Sequence, residues 1–332
     1  MYFCAPEKKR LLTMAKMSKT FSGTLCGIIA AICYGTNPLG ALFLYRDGVN
    51  TNTVLTCRFG LAAVIIAVIM AVRRESFRIK RKELLVLAIL GLLFAASSMS
   101  LYYSFKFIDA GVASTLLFVY PIMVAVIMSI FFKEKISIVT VLSIALAFSG
   151  IMMLYNTGAG VTLNATGVLL VMISSLTYAL YIIIVNRSQI AMSPFKMTFY
   201  VLLFCIAGIV LHSFLSPDTH IHALPTPRSW LFALMLAIVP TFLSLVLMTI
   251  SIRNIGSTPS AIMGALEPLT AVFIGITVFG EPLTLRLVCG ILLILSGVLL
   301  IIIGKTITLH SHLVWQHVKQ KMTKHPHPGK GQ

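Results

Sequence analysis

Apolar residues in this chain fall in long unbroken runs, without the alternation of a half-buried strand or the narrow stripe of a surface helix. Ten runs stand out, at 21–43, 50–72, 84–105, 111–132, 136–154, 163–185, 195–215, 230–252, 258–280 and 284–304. A helix needs roughly 20 mostly apolar residues to cross a hydrocarbon core about 30 Å thick, and each run is close to that length. The strands of a membrane barrel would alternate over only ~10 residues. The pattern therefore predicts an all-α membrane protein of ten transmembrane helices. The connections are short, so no extramembrane domain interrupts the bundle.

Composition sharpens this picture. Of 332 residues, 58% are hydrophobic and 11% charged, and the mean hydropathy is +0.98. A soluble domain carries about 25% charged residues, so too few remain here to coat a water-facing surface. The net charge of +17 would suit a nucleic-acid partner if the basic residues formed one groove. They do not. Of the 26 Lys and Arg, 21 fall on one side of the ten runs, including both tails (1–20 and 305–332) and the cluster from Arg73 to Lys82. The other side holds Arg46, Lys106, Arg228 and Arg286, and Arg58 lies inside the second run. The positive-inside rule then places both termini in the cytoplasm, with lipid as a partner and no nucleic acid.

The runs repeat. An offset of 147 carries Pro121 onto Pro268, Phe132 onto Phe279, Glu134 onto Glu281, and Ser149-Gly150 onto Ser296-Gly297. An offset of 144 carries Gly23 onto Gly167 and Tyr34 onto Tyr178. Runs one to five (21–155) and six to ten (163–304) thus read as two copies of one unit. Five is odd, so the second copy enters the membrane from the opposite face. Inverted repeats of this kind suit alternating access, with a site between the halves near the midplane.

These features together resemble the EamA-type branch of the drug/metabolite transporter superfamily. The resemblance rests on the five-plus-five repeat, Cys57-Arg58-Phe59-Gly60 in run two and Glu267-Pro268 in run nine. It also rests on the paired Phe-x-Glu at 132–134 and 279–281 and the Ser-Gly closing each copy. It implies an exporter of small metabolites, such as amino acids or related compounds, with a central cavity lined from both repeats. Tyr120 precedes its proline where the second copy has Glu267, so the carboxylate has no symmetric partner.

Polar groups at membrane depth are the candidates for function. Glu267 lies near mid-membrane, where a charge is expensive unless it faces a cavity or a partner. A carboxylate so placed can also exchange a proton during transport. Arg58 can pair with Glu267 or with a substrate carboxylate, or its long side chain can snorkel to the outer headgroups. Asn37, Tyr34, Tyr102, Tyr120 and Tyr178 complete the substrate-binding or coupling set, with Ser97, Ser98, Tyr103 and Tyr181 nearby in the sequence. Pro38, Pro121, Pro240 and Pro268 fall inside runs and can bend their helices for gating. Glu134 and Glu281, at run ends, read as caps on neighbouring helix starts. Ser260, Gly264, Ala271, Gly275, Gly290 and Gly297 read as packing surfaces.

Other chemistry leaves no trace. Five cysteines sit within runs and none forms a ligand spacing, so they read as apolar free thiols. The His pairs at 220/222, 310/312 and 325/327 are too few to make a metal site. There is no phosphate loop, serine triad or metalloprotease helix, so neither a cofactor nor an enzyme is expected. The expected partner is a small-molecule substrate, and a homo-oligomer is compatible with the bundle. A transporter of nucleotide-sugar or lipid-linked cargo is the nearest alternative, and a non-transporting receptor or scaffold a more distant one.

Overall fold

The computed structural model describes residues 5–132, 138–155, 164–188, 190, 192–215, 217–255, 260 and 263–300. Glu134, the tail 305–332 and the His pairs at 310/312 and 325/327 lie outside the described residues.

Continuous apolar composition produces helices throughout, because backbone groups in lipid must bond within their own segment. In chain order these are α1 (Ala5–Gly35), α2 (Asn37–Arg46), α3 (Thr51–Val72), α4 (Arg81–Ser104), α5 (Ala110–Leu117), α6 (Tyr120–Phe132) and α7 (Ile138–Tyr155). They continue as α8 (Ala165–Ser188), α9 (Pro194–Ser213), α10 (Pro227–Leu236), a π-helical turn Ala237–Leu243, α11 (Ser244–Ile255), α12 (Leu266–Phe279) and α13 (Leu285–Leu300). Among the described residues, seven helical stretches are long and apolar enough to cross a membrane, and three shorter apolar helices lie at 141–153, 266–279 and 285–300. The first helix begins well before the predicted boundary at 21. Its basic segment offers no glycine, and its one proline, Pro6, sits in the first turn, where it is tolerated.

Helix starts are locally encoded. Asn50 accepts a hydrogen bond from the Thr53 N–H at 2.9 Å, Ser193 from Lys196 N–H at 3.2 Å and Thr226 from Ser229 N–H at 3.1 Å. Each side chain satisfies one of the donors that a first turn leaves bare. Pro194 and Pro227 follow the last two caps, where a proline loses no hydrogen bond. At the far end of α12, Gly280 adopts φ 72°, a left-handed conformation that glycine takes without strain.

Several predicted spans are interrupted, and prolines mark the places. The first breaks at Thr36, whose hydroxyl turns back onto the Cys33 carbonyl, and α2 restarts with Pro38. The fourth breaks between α5 and α6, with Pro121 in the new first turn. The ninth resumes at α12 with Pro268 in its first turn. Pro240 lies inside the π-helical turn of the eighth. A missing N–H and a ring that crowds the preceding turn account for all four.

The helices pack largely across the chain's two halves. α1 lies against α11 and α12, α4 against α8 and α9, α3 against α9, and α5 against α12 and α8. Close approaches come in matched pairs. A side chain on Gly23 would strike Asn254 and Ile255, and one on Gly167 would strike Phe107 and Ile108. A side chain on Gly150 would meet the Gly290 carbonyl and Ile294, and one on Gly297 the Ser143 carbonyl and Ala147. The sequence offsets carry each contact onto its mate. Large apolar side chains such as Phe21, Val72, Leu85, Phe131 and Leu285 face outward, as expected of a surface solvated by lipid.

Candidate functional site

Between the halves lies a cavity of about 280 Å³. All seven predicted binding or coupling residues line it: Tyr34, Asn37, Arg58, Tyr102, Tyr120, Tyr178 and Glu267. Each reaches it from a different place. Tyr34 and Asn37 flank the break in the first span, and Tyr120 and Glu267 each precede the proline that restarts a helix. The four interrupted helices thus turn polar groups inward that a straight, apolar helix would have no reason to carry.

Arg58 is 3% exposed and organises one end of the cavity. Its Nε donates to Thr241 Oγ1 at 2.8 Å, and an Nη donates to the Tyr102 hydroxyl. Both acceptors pass the chain on. Thr241 donates to the Leu236 carbonyl at 2.8 Å, and Tyr102 donates to Asn37 Oδ1 at 3.3 Å. The guanidinium also lies 5.1 Å from the Phe59 ring centroid and 5.6 Å from that of Tyr102. The snorkelling alternative is therefore corrected: the side chain is held inside by two hydroxyls and two rings. Glu267 is not among its partners.

The π-helical turn explains how Thr241 arrives there. Pro240 has no N–H for the Leu236 carbonyl four residues earlier, and the Thr241 hydroxyl donates to that carbonyl instead. Sequence reasoning missed Thr241, although its position beside an intramembrane proline was a usable signal. It also missed Ser244, Met248, Ile252 and Phe94 as lining residues. Ser260 and Gly264, predicted as packing positions, line the cavity as well.

The remaining candidates divide. Ser97 and Ser98 line the cavity, and Ser97 also pairs with Ser174 across α4 and α8. Tyr103 does not line it. It lies near the His212 ring, with the Lys106 ammonium 5.2 Å from its own ring. Tyr181 stacks on Tyr178, centroids 5.9 Å apart with planes 6° off parallel. Of the four prolines none lines the cavity; Pro38, Pro121 and Pro268 each follow a residue that does, and Pro240 precedes Thr241, a partner of Arg58.

A second depression of about 400 Å³ lies at the end of the bundle that carries Arg46, Lys106, Asp109 and Glu281. Glu281 accepts hydrogen bonds from the Ala110 and Gly111 N–H groups, at 2.8 and 3.3 Å. It thus caps α5, as a carboxylate at a helix N-terminus should. Burial, and then the nearby Asp109 charge, push the Glu281 carboxyl up to about 7, while its two backbone donors pull the other way. Asp109 is itself raised by burial. The two cavities approach each other at Tyr102 and Phe105, whose ring centroids are 5.4 Å apart.

Comparison with known proteins agrees with this architecture. The model of the EamA-like transporter family matches residues 21–156 and again 165–303. An uncharacterized transporter of Archaeoglobus fulgidus is 27% identical over 82% of this chain and 93% of its own length. The uncharacterized transporter YcbK of Bacillus subtilis is 23% identical over 87% of this chain and 94% of its own. A solved crystal structure shares the fold with a TM-score of 0.59 at 17% identity, covering 84% of this chain and 96% of that one. With a match to each half and an apolar helical bundle around a polar cavity, the chain belongs to the EamA-like transporter family and is a multi-pass membrane transporter.

Proposed function

We propose that the protein exports a small metabolite, an amino acid or related compound, by alternating access. Ten spans form two inverted five-helix repeats, both termini face the cytoplasm, and the cell membrane is the site of action. The observation that carries this reading is the central polar cavity between the halves, lined by residues of both. The matched glycine contacts support the inverted repeat, because each is reproduced in the other half by the sequence offset. The charge bias of 21 basic residues on one side supports the orientation.

The cycle follows from the thinnest part of the barrier. Tyr102 faces the central cavity and Phe105 the depression beyond it, so rearranging one aromatic contact would connect them. The Arg58–Thr241 and Arg58–Tyr102 bonds tie α3 to the π-helical turn and to α4, and would hold that side shut. The helix breaks at Thr36, between α5 and α6, and before α12 supply hinges beside the cavity. Glu267, whose carboxylate opens on the cavity, is the group for proton coupling.

Flux assays in proteoliposomes across a panel of amino acids and related metabolites test the reading. Saturable flux of at least one compound is expected. Folded protein that moves none of them would overturn it. At saturating substrate, Glu267→Gln should lose the dependence of flux on a pH gradient; unchanged pH dependence would remove proton coupling. Nucleotide-sugar or lipid-linked cargo is the second reading, and the lone cavity cation Arg58, already engaged by two hydroxyls, argues against a polyanion.

A further inference from the structure

We propose that the cargo enters this cavity amine first, with a positively charged nitrogen held by the Glu267 carboxylate among Tyr34, Tyr120 and Tyr178. The inference deepens the transport reading of the same cavity and rests on it.

A polar group that opens on a cavity without a protein partner is free to bond a guest, whereas one already paired must first exchange a bond. The cavity's two charged residues are treated unequally. Arg58 donates through Nε and one Nη to Thr241 and Tyr102, whose own protons go to Leu236 and Asn37. Glu267 lines the same space, yet among the described residues nothing donates to its carboxylate. The hydroxyls of Tyr34, Tyr120 and Tyr178 also have no hydrogen-bond partner among those residues. Around Arg58 the cavity is thus partly engaged. The end that carries Glu267 presents a bare acid and three bare hydroxyls.

That second end is also aromatic and braced. Tyr120 and Tyr178 meet edge to face with centroids 4.8 Å apart, and Tyr181 stacks behind Tyr178. Aromatic rings lining a cavity from which water is excluded attract a cation. The Glu267 carboxylate lies within electrostatic reach of Arg58 but accepts no hydrogen bond from a described residue. A cargo ammonium would donate one at contact distance. A cargo carboxylate at this end would instead meet like charge in a poorly screened site. The volume, about 280 Å³, suits one small amine or amino acid. Any anionic group on the cargo would be drawn to the Arg58 guanidinium.

The test uses the purified full-length chain in detergent and matched probes: phenethylamine, phenylalanine and 3-phenylpropionate, with methylamine and spermidine as further amines. Calorimetry should show saturable binding of at least one amine, and 3-phenylpropionate at least about tenfold weaker than phenethylamine or phenylalanine. Glu267→Gln should weaken amine binding at least about tenfold while leaving the melting temperature near that of the parent. Tyr178→Phe should bind nearly as the parent does, and Tyr178→Leu more weakly, since the ring face and not the hydroxyl carries the attraction. Binding of 3-phenylpropionate as tight as phenethylamine overturns the proposal. So does unchanged amine affinity in Glu267→Gln, or no saturable binding of any amine. Proteoliposome flux separates this idea from its parent reading. Glu267-dependent amine binding without flux would sink transport alone, whereas flux indifferent to amine charge would sink the amine site alone.

Discussion

Arg58 and Thr241, 183 residues apart in the chain, are joined by a 2.8 Å hydrogen bond from Nε to Oγ1. The bond crosses from the first half of the protein to the second and is buried at both ends. Its donor is charged, and bonds to charged groups contribute about 1.5–3 kcal/mol. Thr241→Val, nearly the same shape without the hydroxyl, should therefore lower the melting temperature, and Thr241→Ser should restore most of the loss. Thermal unfolding of the three proteins in one detergent checks this; equal stability of Val and Thr forms would mean Arg58 finds another acceptor.

Pro240 makes a complementary prediction. Pro240→Ala restores a backbone N–H and removes the ring that disfavours α geometry in the 237–243 turn. If that turn rewinds, Thr241 swings away from Arg58. The expected result is slower flux of whatever compound the parent moves, with stability unchanged or raised. Parent-like flux would show that the π turn persists without its proline.

The glycine seams predict a three-way contrast. Alanine at Gly150 or Gly297 would place Cβ 2.7 Å from a backbone carbonyl oxygen, which cannot rotate aside. Overpacking of this sort costs about 1–3 kcal/mol, and the two substitutions should be similarly harmful because their surroundings match. Gly60, inside α3, has nothing within 4 Å of the added methyl. Gly60→Ala should be neutral or stabilise by up to about 1 kcal/mol through helix propensity. Melting temperatures of the three variants decide the matter.

Glu281 should make stability depend on pH. Its carboxyl is raised from an ordinary 4.5 to about 7, so the folded protein holds that proton more tightly than the unfolded chain does. The contribution is fully present below pH about 4.5 and is lost as pH rises through about 7. Glu281→Gln should flatten the melting curve across that window, apart from a smaller slope of the same sign from Asp109. A slope unchanged in the variant would assign the effect to other groups.

Much of this architecture is legible in the residues themselves. Lipid forbids unsatisfied polar groups, so a polar side chain deep in an apolar run must face inward; that single rule selected Tyr34, Asn37, Arg58, Tyr102, Tyr120, Tyr178 and Glu267, which all meet in one cavity. Pairings were harder to read. Hydroxyls are common in membrane helices, and nothing local to Thr241 says that a guanidinium on α3 will reach it. Ser260 and Gly264 were taken for packing residues because small size serves close contact and open space equally well. Tyr103 failed for the opposite reason: one residue along a helix rotates a side chain by about 100°, enough to turn it from the cavity toward His212.

Near-symmetry is broken at the two residues that matter for charge. The offset that pairs Pro121 with Pro268 sets Tyr120 against Glu267, and it sets Arg58 against Cys205. Two identical halves associating back to back could only have offered acids and bases in duplicate, and a guest between them would read the same upside down. Within one chain the halves differ, with one acid and one base between them, so a guest with unlike ends meets different partners according to the way it lies.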